Sequence, residues 1–100
     1  MAAELEHEAQ TGTRLVLLVE DEASLVSSLS YYLRKNGFSV VSASNGVTGL
    51  QAARSDHPDV IVLDLMLPGM DGLEVCRRIR AESDVPIIFL TEKRERNDKL

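Results

Sequence analysis

Val60-Ile61-Val62-Leu63-Asp64-Leu65-Met66-Leu67-Pro68-Gly69-Met70-Asp71-Gly72 decides the fold of this chain of 100 residues. A short apolar run, rich in β-branched residues, ends abruptly in a carboxylate, and a Pro-Gly turn follows. The run is too short for a helix and reads as a strand buried on both faces, the kind found in parallel sheets. Open parallel sheets place their sites just past the carboxyl ends of strands, which makes Asp64 the first candidate for chemistry.

A second acidic strand end matches the first. Leu15-Val16-Leu17-Leu18-Val19 is another continuous apolar run, and it ends in Glu20-Asp21-Glu22. Neighbouring strands of this kind would bring Glu20, Asp21 and Asp64 together. Carboxylates held that close repel one another unless a cation neutralises them. An all-oxygen cluster suits Mg²⁺, which takes one or two carboxylates and keeps several waters. A third run, Pro86-Ile87-Ile88-Phe89-Leu90, ends in the hydroxyl of Thr91.

Each feature taken singly has an ordinary reading. Glu20, Asp21 and Glu22 would favour the first turn of a following helix through its dipole. Asp71 reads as an N-cap and Thr91 as a loop hydroxyl. Capping, however, does not require that the acidic and hydroxyl-bearing strand ends fall on one rim.

Leu17-Leu18-Val19-Glu20-Asp21-Glu22, the stretch from Val62 to Gly72, and Ile87-Ile88-Phe89-Leu90-Thr91 together resemble the receiver domain of two-component response regulators. Order and spacing agree from about Arg14 to Leu100. The Asp64 loop and Asn97-Asp98-Lys99-Leu100 most resemble the subfamily of winged-helix transcription factors. The resemblance implies a flavodoxin-like, doubly wound α/β fold with a parallel sheet of strand order 2-1-3-4-5. It implies Asp64 as phosphoacceptor, and Mg²⁺ ligated by Asp21, Asp64 and the backbone carbonyl of Met66, with Glu20 assisting through a water. It also implies Thr91 as a switch hydroxyl that turns toward the phosphoryl group, and a sensor histidine kinase as partner. A carboxylate can act as nucleophile toward phosphorus, and the transfer itself needs mostly positioning and charge neutralisation.

The chain also departs from the family. Receivers continue past the helix after Thr91 into a fifth strand and a fifth helix. That strand normally carries a Lys, followed by Pro, that binds the phosphoryl group, and an aromatic that responds to the switch hydroxyl. The fifth strand and helix are expected to be missing here, and Lys93 and Lys99 do not match that Lys. Glu92 stands where the family has a small residue, either hindering access to the site or pointing to solvent. With no fifth strand, strand four is expected to be a sheet edge, so that either the chain is a partial view of a longer protein or it pairs with a second copy through strand four or by domain swapping.

Composition fits one small soluble domain. The hydrophobic fraction of 44% excludes a disordered chain, and a formal net charge of −5 argues against this segment gripping nucleic acid. DNA contact would fall to an output domain outside it. Cys76 lies in an apolar helical pattern and reads as packing. No apolar run approaches membrane-spanning length, and no signal peptide is visible, which makes the cytoplasm the default.

Met1 to Thr13 is polar, with Glu4, Glu6 and Glu8 alternating, and reads as a mobile extension to a partial receiver at 14–100. His7 stands there without ligand partners. Strands are expected at about Arg14–Val19, Phe38–Ala43, up to Asp64, and up to Thr91. Helices are expected at about Glu22–Asn36, from Asn45-Gly46 to Asp56-His57-Pro58, and from Asp71-Gly72. The first helix presents Leu25, Val26, Leu29 and Leu33 as one apolar stripe, and Gly37 is a good C′ residue. The third is expected to turn Leu73, Cys76 and Ile79 inward. Function is expected to be that of a phosphoacceptor signalling module rather than an enzyme. An aspartyl-phosphate hydrolase would carry a second Asp where Met66 stands. A receiver-like interaction module that is never phosphorylated is the other alternative.

Overall fold

A computed structural model describes residues 13–90. Residues 1–12 of the expected extension, Thr91, and the helix expected after it lie outside them. Strands and helices alternate as β1 (Leu15–Val19), α1 (Ala23–Lys35), β2 (Ser39–Ala43), α2 (Gly46–Asp56), β3 (Val60–Asp64), α3 (Gly72–Arg80) and β4 (Ile87–Leu90). The strands form one parallel sheet of order β2-β1-β3-β4, the first part of the expected order. Between β1 and β2 the chain steps one way along the sheet, and it then steps back across β1 to β3 and on to β4. Right-handed crossovers therefore put α1 on one face and α2 with α3 on the other.

The face under α2 and α3 is closed. Leu17, Val19, Ile61 and Leu63 of the sheet pack with Leu50 of α2, with Val75 and Ile79 of α3, and with Leu67 of the loop before α3. On the α1 face Val16, Leu18 and Val40 are buried, but Val62 is only half-buried and Ile88 is 56% exposed. β1 is thus the strand whose last four residues are all buried. β3 alternates between half-buried and buried before Asp64, so the reading of that run as buried on both faces holds only in part. On β4, which with β2 forms the edges of the sheet among the described residues, Phe89 is 37% exposed as well.

Helix ends follow local chemistry. α1 stops in a Schellman arrangement: Gly37 N donates to Arg34 O at 3.0 Å and Phe38 N to Leu33 O at 3.1 Å. Gly37 adopts φ +94°, a conformation that glycine takes without Cβ strain. α2 and α3 start on Asx caps, with Thr48 N donating to Asn45 Oδ1 and Glu74 N to Asp71 Oδ1, each at 2.9 Å. The N-cap reading of Asp71 is borne out.

Two expectations need correction. Leu73 does not turn inward and is 62% exposed. The inward face of α3 is Gly72, Val75 and Ile79, with Cys76 at its margin, and Leu73 lies about 100° round the helix from Gly72. The stripe on α1 is present in sequence, but Leu25, Val26, Leu29 and Leu33 are all only half-buried.

Candidate functional site

Parallel pairing of β1 with β3 sets the site. The register matches Val19 with Leu63, so Glu20 and Asp64 leave the sheet side by side. Glu20 N donates to Ala43 O at 3.0 Å, which carries the β1–β2 ladder one residue past Val19. Glu20 is therefore held by the sheet through its backbone, while its carboxylate meets the N-cap amide of α1. The first turn of α1 contains no acidic residue, and its N-cap Glu22 makes no side-chain cap bond.

Carboxylate oxygens of Glu20, Asp21 and Asp64 all lie within 4.8 Å of one another. Asp64 is 0% and Glu20 1% exposed, whereas Asp21 is open to solvent. Two hydrogen bonds fix the buried pair. Glu22 N donates to Glu20 Oε2 at 2.9 Å, and Met66 N donates to Asp64 Oδ1 at 3.1 Å. Hard oxygen donors at this separation, two buried and one solvent-facing, fit a divalent cation that keeps water ligands on its open side. They do not suit a soft or nitrogen-preferring metal.

The loop after Asp64 is held against the strand end. Gly72 N donates to Leu65 O at 3.1 Å, and a Cβ on Gly72 would sit 2.5 Å from Asp64 O and 2.7 Å from Leu65 Cα. Only glycine lets α3 begin that close to the phosphoacceptor candidate. Leu67 folds back into the core, while the Met66 side chain points to solvent. Three of the five expected site residues, Glu20, Asp21 and Asp64, therefore converge on one rim, Met66 is tied to Asp64 through its N–H, and Thr91 lies outside the described residues.

Sequence reasoning missed the neighbours of this rim. An open groove of about 540 Å³ runs from Asp21 past Ser44, Asn45, Val47, Pro68 and Gly69. The Asn45-Gly46 pair was legible as a helix start, but not as a wall of the site. A separate cleft of about 340 Å³, lined by Leu50, Arg54, His57, Ile79, Glu82 and Val85 among others, holds none of the acidic cluster. His57 is exposed there in a left-handed conformation that ends α2, in keeping with its reading as a surface loop residue.

A family model described as the response regulator receiver domain matches residues 16–100. Over 86 residues the chain is 45% identical to the alkaline phosphatase synthesis transcriptional regulatory protein PhoP of Bacillus subtilis, covering 85% of this chain and 36% of that protein. Over 83 residues it is 47% identical to the DNA-binding response regulator MtrA of Mycolicibacterium paratuberculosis, covering 83% of this chain and 37% of that protein. The chain thus spans little more than a third of the length of these curated relatives. Among solved structures, the BeF3-activated N-terminal receiver domain of RstA from Klebsiella pneumoniae superposes with a TM-score of 0.73 at 30% identity, covering 79% of this chain and 70% of that one. The N-terminal domain of a response regulator receiver protein from Methanoculleus marisnigri gives 0.76 at 31%, covering 80% and 68%.

Proposed function

The chain belongs to the response regulator receiver domain family, and from that premise we propose that Asp64 accepts a phosphoryl group from a sensor histidine kinase and so switches an output domain. Asp21, Asp64 and the Met66 carbonyl would hold Mg²⁺, with Glu20 assisting through a water. When bound, the ion neutralises charge on the phosphoryl oxygens. Asp64 supplies the nucleophile: a carboxylate oxygen forms the new bond to phosphorus as the bond to the donor nitrogen breaks, and the electron pair leaves with the imidazole. The Met66 N–H at Asp64 Oδ1 orients the carboxylate for attack. Thr91, which follows β4 directly in sequence, is the switch hydroxyl on this reading. The proposed output is transcriptional, as the names of the relatives suggest, and the proposed setting is the cytoplasm. Among the described residues no helix is long and apolar enough to cross a membrane.

The observation that carries the reading is the 4.8 Å cluster of Glu20, Asp21 and Asp64 at the ends of adjacent parallel strands. Incubation of the protein with Mg²⁺ and acetyl phosphate is expected to place an acid-stable, base-labile phosphoryl group on Asp64. Asp64→Asn should abolish it, and Asp71→Asn should not. Labelling that survives Asp64→Asn would mean the nucleophile is misassigned, and no labelling of the wild type would favour an interaction module that is never phosphorylated.

A further inference from the structure

The loop from Leu65 to Asp71 carries the Met66 carbonyl, and most of what pins it belongs to its own strand–loop–helix unit. Met66 N bonds Asp64, Leu67 is buried, and Gly72 lies on the end of β3. One further contact comes from a different unit. Gly46, the first residue of α2, is buried against Met70. A Cβ there would overlap the Met70 carbonyl oxygen and lie 2.9 Å from Met70 Cβ and 3.0 Å from Met70 C. Much of the obstacle is main chain, so no rotamer change relieves it.

The other side of the contact is equally stiff. Thr48 N and the Thr48 hydroxyl both donate to Asn45 Oδ1, at 2.9 and 3.1 Å, which fixes the first turn of α2. One turn on, Gly49 seats the same helix on Val19, where a Cβ would lie 2.8 Å from Val19 Cγ1. α2 therefore touches both halves of the acidic site, β1 just before Glu20 and the loop just after Met66.

We infer that Gly46 is a positioning residue for the acidic site: its close seating on Met70 sets the separation between the Met66 loop and the carboxylates of Glu20 and Asp21. Intrinsic propensity alone would make Gly46→Ala neutral or stabilising, since alanine is the better helix former. The collision with Met70 reverses that sign and pushes the loop away from β1. Groups that orient metal ligands typically matter to metal affinity by about 10- to 100-fold.

The inference rests on the proposed Mg²⁺ site, and the test separates the two. Mg²⁺ is titrated into wild type, Gly46→Ala and Gly37→Ala, following the amide signals of Glu20, Leu65 and Met66, with thermal melting alongside. Gly37→Ala strains a positive φ where a Cβ would meet nothing within 4 Å, so it loosens the fold without touching the loop. The expected result is Mg²⁺ affinity about tenfold or more weaker in Gly46→Ala and unchanged in Gly37→Ala. Should Gly46→Ala not fold, Met70→Gly strips the side-chain part of the contact and adds backbone freedom to the loop, and should weaken Mg²⁺ in the same direction. Wild-type affinity in a folded Gly46→Ala, or in Met70→Gly where that variant decides, overturns the inference alone. A wild type that binds no Mg²⁺ overturns the proposed site and the inference with it.

Discussion

The two faces of the sheet differ more than their sequences do. Beneath α2 and α3, Leu17, Val19, Ile61 and Leu63 meet Leu50, Val75 and Ile79, and all are buried. Beneath α1, burial fades across the sheet from Val16 and Leu18 to the half-buried Val62 and the exposed Ile88. The helices follow the same division. α2 and α3 start on Asx caps, while α1 starts on Glu22 without a side-chain cap bond, and its apolar stripe is half-covered. The β1–β3 register places Glu20 beside Asp64. α2 of the closed face meets both sides of the site, through Gly49 on Val19 and Gly46 on Met70, and so ties the site to that face.

The largest test of this difference is energetic. Leu17→Ala is expected to destabilise the domain by about 2–5 kcal/mol, because it leaves a cavity in a packed core. Ile88→Ala, on an exposed position, is expected to change stability by no more than about 0.5 kcal/mol. Urea unfolding with unchanged slope measures both. A comparable loss from Ile88→Ala would mean that something covers the open face. If that loss grew with protein concentration, the cover would be a second copy paired along β4.

The same contrast explains what the sequence could and could not tell. Runs ending in Glu20 and Asp64 were legible because a buried strand must be apolar and a carboxylate at its end is conspicuous. The parallel sheet followed from alternation, its strand order came only with the family resemblance, and Gly37 and Asp71 followed from end-cap chemistry. Coverage was not legible. Ile87-Ile88-Phe89-Leu90 is as apolar as Leu15-Val16-Leu17-Leu18-Val19, yet the first is half-open and the second nearly closed, because burial depends on what packs from outside the segment. Leu73 was misplaced for a related reason. On a helix as short as α3, a shift of one residue in phase exchanges an inward position for an outward one, and Val75 with Ile79 fixes the phase. The seating of Gly46 on Met70 was hidden because it joins residues 24 positions apart through main chain, a contact no local pattern records.

A smaller effect tests the helix starts. Asn45→Ala and Asp71→Ala each remove an acceptor from a helix N-terminus, and each is expected to cost about 1 kcal/mol. Glu22→Ala makes the matching change on α1, where no cap bond exists to lose, and is expected to be close to neutral. Urea midpoints of the three variants decide it. A loss from Glu22→Ala equal to the other two would show that α1 is held at its start as firmly as the helices of the closed face.

The smallest expected effect lies on the outside of the closed face. Arg54 of α2 donates from Nε to both carboxylate oxygens of Glu82, at 3.0 Å each, and so ties α2 to the segment after α3. Hydrogen bonding from Arg54, and then its charge, lowers the Glu82 carboxyl below its ordinary value of 4.5. Glu74 is lowered likewise, chiefly by its hydrogen bond from Arg78. For a depressed acid the stabilisation is present above the unfolded value and is lost as pH falls through the folded one. Both pairs are solvent-exposed, where screening and side-chain entropy leave little net gain. Glu82→Gln should therefore melt within a degree or two of wild type at about pH 7, with even that difference vanishing as pH falls through the lowered folded-state value and the wild-type carboxyl protonates. Thermal melts across that range, repeated in about 0.5 M salt to screen the pair, provide the check. A large, salt-insensitive loss at neutral pH would mean that the Arg54–Glu82 contact closes this face as effectively as Leu50, Val75 and Ile79 do from within.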